Sequence, residues 1–449
     1  MMAQESRLTS LGPFESLRAR EFARLDQTGT TYLDYTGAAL YPASLVTAQH
    51  KALQEQVLGN PHSLNPASVA AAEAVDHARQ RILRFFNADS SEYCAVLTAN
   101  ASAAIKLVAE SFPFDERSRV ALTVDNHNSV NGIREYAYRA GAKVHYLPVD
   151  NSLGLKPDTL QPAGEGQHLF AYPAQSNFSG VLQPLYLVST AQQAGYRVLL
   201  DAAAYVPSHR LDLSTLNPDF VCVSFYKMFG FPTGIGALIV RRKALAQLRR
   251  PWFAGGTVAF ASTQNPDLHR LVNDEHAFED GSPNFTSAEA VVRGLDYLDD
   301  IGMEAIQSHV GVLTRQWTAR ARALRHRNGA PRLRFYGGED QSYGGCRAFN
   351  VLDAGGQVVS YERVERAAAE AGLALRGGCF CNPGCAEAAF RFSAATTRRC
   401  LGSTSDHFSP QKLARCLGTT EVGALRVSLG PANNEPDIDR LVEFLKTAM

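Results

Sequence analysis

A lysine stripped of its hydration shell becomes a nucleophile, and the chain contains one candidate for that role. Lys227 lies in Asp219 to Val240, DFVCVSFYKMFGFPTGIGALIV, as the only basic residue between Arg210 and Arg241. Phe225, Met228, Phe229 and Phe231 wall it in, and an amine in apolar surroundings gives up its proton more readily. Such an amine forms a Schiff base with an aldehyde. A turn lysine whose ammonium reaches water fits the same stretch. The flanking apolar runs and the Gly/Pro breakers predict strand, turn, strand.

Other polar residues fall where strands end, the place where open α/β sheets collect ligands. After Cys94 to Leu97 comes Thr98-Ala99-Asn100-Ala101-Ser102. Its N–H groups, opening a helix over 102–111, together with the Ser102 hydroxyl, suit a phosphate; a serine helix cap is the plainer account. His127 follows the strand Val120 to Val124 and could stack on an aromatic cofactor or serve as a loop residue. Gln175-Ser176-Asn177 offers donors to a phenolic oxygen, or forms a turn. Asp201 ends an apolar strand, which is costly unless the carboxylate is paired, either with a protonated ring nitrogen or in a structural ion pair. An amine for an aldehyde, an acid for a pyridinium and a helix end for a phosphate together fit pyridoxal phosphate.

Two further stretches carry reactive groups. Arg376 to Cys385, RGGCFCNPGC, places Cys379, Cys381 and Cys385 on a glycine-rich loop. The thiols suit nucleophilic chemistry. Zinc is disfavoured, because C-x-C-x3-C lacks C-x2-C pairs and a fourth ligand (Cys400, His407 or Cys416) is far off in sequence. Arg426, within GALRVSLG, suits a two-pronged grip on a carboxylate, or an edge-strand surface position.

The elements needed to position these groups are legible in outline. Strands alternate with helices from Cys94 to Leu200, which predicts a mostly parallel sheet with helices on both faces. Helices are expected over 17–25, 44–58 and 67–86, then 102–111, 129–140 and 186–194. From about Ala288 a long helical region to Asn328 leads into a smaller α+β unit. The expected division is a large domain over 26–290 and a small domain formed by 1–25 with 291–449. The chain has 449 residues, and Lys plus Arg equal Asp plus Glu at 44 each, so no charged field points to nucleic acid or an anionic membrane. Eight cysteines in this length are not a disulfide framework and read as reduced cytoplasmic thiols. No secretory leader and no membrane-spanning apolar run are evident.

Several motifs together resemble a known family. They are YLDYTGAA (32–39), GNPHS (59–63), YPAQSNFSG (172–180), SFYK (224–227), FEDGS (278–282), CFCNPG (379–384) and LRVSLG (425–430). From about Tyr32 onward the chain resembles the class V aminotransferase-fold cysteine desulfurases, and within them the amino-terminal domain of molybdenum cofactor sulfurases. The resemblance implies an α/β fold of the fold type I (aspartate aminotransferase-like) kind, with a seven-stranded type of sheet, acting as a homodimer. It implies that Lys227 holds pyridoxal 5'-phosphate, with His127 on the ring, Asp201 on its nitrogen and Asn177 near the phenolic oxygen. Ala101, Ser102, Ser224 and Tyr226 would surround the phosphate, joined by Ser282 of the partner subunit. Arg426 and His62 would meet the substrate. Cys381 falls where related desulfurases carry a persulfide, with Cys379 as its neighbour and rival, and a sulfur-acceptor protein would follow. Departures are Ala204 in place of a polar residue, Tyr226 in place of histidine, and a long insertion over 386–423. A transaminase, epimerase or β/γ-lyase of the same fold, or a non-catalytic zinc or sulfur-carrier protein, are the alternative readings.

Overall fold

In the computed structural model, residues 12–402, 409–419 and 421–447 are described. The candidate zinc ligand His407 and the first eleven residues, part of the expected small domain, lie outside them.

A seven-stranded sheet forms the centre. Its spatial order is Tyr93–Thr98, Gly236–Arg241, Phe220–Ser224, Arg197–Asp201, Leu169–Pro173, Arg119–Thr123, Lys143–Leu147. Gly236–Arg241 runs antiparallel to both neighbours, and the other pairings are parallel. The parallel strands are nearly continuous apolar runs because helices cover both faces. One face carries a core containing Phe170, Val221 and Phe229, and the other a core containing Val96, Leu122 and Leu199.

The helices form largely where the amphipathic pattern places them, with informative differences at their ends. Pro66–Phe85 starts at Asn65, whose side chain accepts from the Ser68 N–H at 3.0 Å. Ala101–Ser111 is capped by Asn100, which accepts from the Ala103 N–H at 3.0 Å, so the cap is Asn100 and not Ser102. The expected helix over 129–140 is two shorter ones, Asn128–Asn131 and Ile133–Arg139, divided at Gly132. The region expected as one helical stretch to Asn328 is Ala288–Ile301 and Met303–Arg322, divided at Gly302. The first of these packs on Pro66–Phe85 and the second on Glu435–Thr447.

A four-stranded sheet, in the order Leu333–Phe335, Cys346–Val351, Ala424–Ser428, Arg376–Gly378, is antiparallel throughout. Chain from the N-terminal side joins it: Thr31–Tyr32 pairs in parallel with Leu373–Ala374, and Asp34 bridges to Ser428. The expectation of uniformly reduced cysteines is corrected here. Cys400 and Cys416, on helices Ala394–Gly402 and Pro410–Leu417 of the insertion, form a disulfide. Two thiols spent on each other are not zinc ligands, and the remaining six cysteines are free.

Candidate active site

The carboxyl ends of the parallel strands converge with one face of the small sheet. The segment expected as a plain turn is a one-turn helix, Phe225–Phe229, wedged between antiparallel strands and closed by Gly230 at φ +79°. A side chain at Gly230 would collide with the backbone at Leu40 and Tyr41, so the tight return of the chain requires glycine. Phe225, Met228 and Phe229, the neighbours of Lys227 on this turn, are buried in the main core, which fixes the turn. Desolvation is the first cause pushing the Lys227 amine below its ordinary pKa. Arg426 and Arg376 push the same way, while Asp201 and Cys381 oppose them. These five side chains therefore share one electrostatic neighbourhood. Of the two exposed thiols, Cys381 lies in the electrostatic range of Lys227 and Cys379 in that of Tyr361.

Asp201 is buried at its strand end and accepts from the Ala203 N–H at 3.0 Å. It attracts Lys227 without forming a direct ion pair with it. His127 is pushed below its ordinary pKa first by burial and then by Lys227 and Arg426, with Asp201 opposing. Its Nδ1 accepts from the Ser129 N–H at 3.1 Å, and the Ser129 hydroxyl lies 3.0 Å away. Ser129 in turn meets the Ser102 hydroxyl at 2.5 Å, which links the ring position to the start of helix Ala101–Ser111. Ser224 Oγ accepts from the Ala101 N–H at 2.8 Å. Tyr226 is half-buried within the field of Arg376.

Pyridoxal phosphate fits this donor set. A desolvated amine and a buried carboxylate attract each other across a gap, beside a neutral imidazole, and hydroxyls gather at a helix N-terminus that favours a phosphate.

Arg426 is buried, and its two terminal nitrogens are engaged: Nη1 donates to the Asn177 carbonyl at 2.7 Å and Nη2 to Asp34 at 3.0 Å. The guanidinium carbon lies 4.7 Å over the Phe380 ring. Arg376 grips the same Asp34 with Nη2 at 2.6 Å and Nε at 2.9 Å. Asp34 thus holds two arginines facing the site.

The cysteine loop is pinned by a network that the sequence analysis did not single out. Phe380 and Cys381 are both left-handed, at φ +55° and +57°, a conformation costing roughly 1–2 kcal/mol per residue. Asn382 offsets that strain by donating to buried Asp125 at 2.7 Å and to Asn177 Oδ1 at 3.0 Å. Asp125 also accepts from Ser176 at 2.7 Å and from Gln183 at 2.8 Å. The Cys381 carbonyl accepts from the Asn128 N–H at 2.7 Å, next to His127. Any side chain at Gly384 would collide with the Val124 carbonyl, so the loop presses directly on the strand end. The signal for Asp125 was available: it ends an apolar strand just as Asp201 does.

Three of the expected site residues make the following contacts within the chain. One N–H of the Asn177 amide donates to the Phe380 carbonyl on the cysteine loop at 2.6 Å. Ser282 accepts from Asn60 at 2.9 Å on an exposed surface, and the His62 ring lies against Gly256. Among the described residues, no group of three or more His, Cys, Asp or Glu side chains is arranged to hold a metal ion. Nor is any helix long and apolar enough to cross a membrane.

Comparison with known proteins agrees with this geometry. The chain is 36% identical over 461 residues to molybdenum cofactor sulfurase of Bos taurus, covering 97% of this chain and 52% of that protein. Against the Homo sapiens protein of the same name it is 35% identical, covering 97% of this chain and 51% of that one. The chain therefore spans about half the length of these curated relatives. Among solved structures, an apo cysteine desulfurase from Thermococcus onnurineus superposes with a TM-score of 0.79 at 22% identity, over 97% of each chain. That likeness speaks to the fold, which is of the pyridoxal-phosphate fold type I kind. The model of the aminotransferase class-V family matches residues 31–441, from the strand that carries the chain to Asp34 through most of the last helix. This chain is an enzyme of the class-V aminotransferase family.

Proposed function

We propose that this enzyme removes sulfur from L-cysteine or a cysteine-like amino acid, leaving alanine and a persulfide on Cys381. The observation that carries the reading is the shared neighbourhood of a desolvated amine and an exposed thiol, Lys227 and Cys381, beside a buried arginine on the small sheet. The relatives that are named sulfurases support the same chemistry.

When bound, pyridoxal phosphate supplies an aldehyde for amines and an electron sink for the bonds at the substrate's Cα. The chain supplies everything else. Burial keeps the Lys227 amine easily deprotonated, so that Nζ can join the aldehyde and later accept the Cα proton. Asp201 would hold the proton on the ring nitrogen, and His127 would pack on the ring. Ala101, Ser102, Ser224 and Tyr226 would hold the phosphate, together with Ser282 of the partner subunit. Arg426 exchanges Asp34 or the Asn177 carbonyl for the substrate carboxylate, with His62 as a second substrate contact. The Cys381 thiolate attacks the substrate sulfur: an S–S bond forms, the Cβ–S bond breaks, and its electron pair stays on Cβ. Protonation at Cβ and return of the proton from Lys227 Nζ to Cα give alanine, and a reductant or an acceptor protein discharges the persulfide.

We infer a homodimer because Val57, Leu64, Trp252, Phe260 and Leu268 are exposed large apolar side chains. They lie in the chain segments that carry His62 and Gly256, which touch each other. A second copy seated there would bury them and bring Ser282 to its site. We infer a cytoplasmic setting from the six free thiols, two of them exposed, with the Cys400–Cys416 disulfide as the observation against it.

Protein bound to the cofactor, supplied with L-cysteine and a thiol reductant, is expected to release sulfide and alanine in equal amounts. A bound chromophore with no sulfide would overturn the desulfurase reading, and a visible spectrum recorded against a panel of amino acids would then distinguish a transaminase from a lyase.

A further inference from the structure

The long insertion departs from the charge balance of the chain. Lys plus Arg equal Asp plus Glu over the whole sequence, yet between 391 and 419 Arg391, Arg398, Arg399, Lys412 and Arg415 stand against one acid, Asp406. All five basic residues are exposed, and none enters an ion pair among the described residues. Helix Ala394–Gly402 carries two of them and helix Pro410–Leu417 another two. The Cys400–Cys416 disulfide joins the helices beside Arg399 and Arg415, the residues immediately before each cysteine. Like charges repel, and the crosslink holds them close against that repulsion.

This basic surface is tied to the cysteine loop at both ends. Helix Pro383–Phe390 starts two residues after Cys381 and closes on Arg391. At the other end Ala424 pairs with Gly378, the residue before Cys379. Between them, Gln411 Nε2 donates to Glu362 at 2.7 Å. The neighbouring Tyr361 ring lies so close to Gly377 and Gly423 that a Cβ at either would collide with it. The paired helices are thereby docked on helix Tyr361–Glu370, which packs on the strand Arg376–Gly378 leading into both exposed thiols.

We propose that helices Ala394–Gly402 and Pro410–Leu417 dock an acidic polypeptide that presents a thiol to Cys381. The sulfur transfer rests on the desulfurase reading; the docking does not. The acceptor thiol attacks the outer sulfur of the Cys381 persulfide. A new S–S bond forms on the acceptor, the S–S bond at Cys381 breaks, and its electron pair returns to Cys381 with the acceptor's proton. Nucleic acid and lipid offer no thiol for this step, which favours a protein. Complementary charge acts chiefly on the rate of encounter.

The test uses the full, cofactor-loaded chain and two dye-labelled peptides, each with one cysteine, set among glutamates in one and glutamines in the other. Fluorescence anisotropy reads docking without turnover, and sulfur transferred from L-cysteine to each peptide reads the chemistry. The glutamate peptide is expected to bind more tightly at low salt and to accept sulfur about tenfold faster. The advantage should vanish at about 1 M salt, where the screening length is about 3 Å. Arg398→Glu with Arg399→Glu, and separately Lys412→Glu with Arg415→Glu, should each remove most of it. Sulfide release to a small thiol reductant should stay at the wild-type level in both. The pairs lie on different helices, so one stays informative should the other misfold. Lys243→Glu, an equal charge change on an exposed residue at the amino end of the central sheet, should leave the advantage intact. Equal binding of the two peptides, or binding unchanged in both paired variants, overturns the proposal. Tighter binding of a DNA duplex or of phosphatidylserine vesicles than of the glutamate peptide also overturns it. Charge-dependent peptide binding without any sulfide release to the small reductant supports the docking surface and rejects the desulfurase reading.

Discussion

Two stretches bring Lys227 and Cys381 into one electrostatic neighbourhood by opposite means. Lys227 sits on one helical turn held by the sheet, and its position comes from apolar packing around Phe225, Met228 and Phe229. Cys381 is exposed on a left-handed loop whose Phe380 and Cys385 pack in a small cluster, and which is fixed by the buried polar network of Asp125, Ser176, Gln183 and Asn382. A packed turn tolerates change in its charged group, because removing a desolvated ammonium relieves a cost. A pinned loop does not tolerate loss of its acceptor, because every donor that served it is left buried and unmatched.

The sharpest separation is expected in activity. Lys227→Ala should lose the borohydride-trapped cofactor adduct and turnover together, by roughly 10²–10⁴-fold or more. Cys381→Ala should keep the visible chromophore and a stability within about 0.5 kcal/mol of wild type while sulfide release collapses. Sulfide output at the wild-type level from Cys381→Ala would remove the loop from the chemistry.

Next in size is stability. Asp125→Ala strands three buried donors and is expected to cost about 3 kcal/mol in urea unfolding, with faster alkylation of Cys381 by iodoacetamide. Lys227→Met in cofactor-free protein should unfold no more easily than wild type. If both variants lost equal stability, the contrast between packing and pinning would fail.

The two stretches should also titrate in opposite directions. The Lys227 pKa is lowered from 10.5, so between the folded pKa and 10.5 the unfolded chain binds more protons, and stability relative to Lys227→Met rises with pH across that window. The Asp125 pKa is raised from 3.8, chiefly by burial against its hydrogen bonds, so its contribution relative to Asp125→Asn is complete below 3.8 and is lost as pH rises through the folded pKa. Each slope is at most about 1.4 kcal/mol per pH unit, readable from unfolding curves across pH. Slopes of the same sign would contradict the burial assigned to one of the two groups.

The smallest effect lies at the end of the pinned segment. Arg391 closes helix Pro383–Phe390 at φ +58° and is exposed. Arg391→Gly should raise the unfolding midpoint, by up to about 1 kcal/mol of stability.

What was legible in advance follows from the range of the forces involved. Local patterning marked the strands ending at Val124, Leu200 and Val223, because a buried parallel strand must be a nearly continuous apolar run whatever surrounds it. It therefore also marked the polar residues just beyond those strands, His127 and Asp201 among them. The same argument would have flagged Asp125, whose partners Ser176 and Asn382 come from other parts of the chain. No periodicity reports the bond from Asn382 to Asp125, spanning 257 residues, or the pairing of Asp34 with Arg376 and Arg426. The left-handed loop at Phe380 and Cys381 was hidden for the same reason, since non-glycine residues adopt it only when distant contacts compensate. The sequence by itself determined the strand-and-helix order, the cofactor chemistry and the buried amine, all of which are written in hydrophobicity and residue type over short spans. Only the tertiary structure decided which carboxylates hold the loop and the arginines, and that Cys400 and Cys416 are bonded, because those depend on backbone segments brought together by the fold.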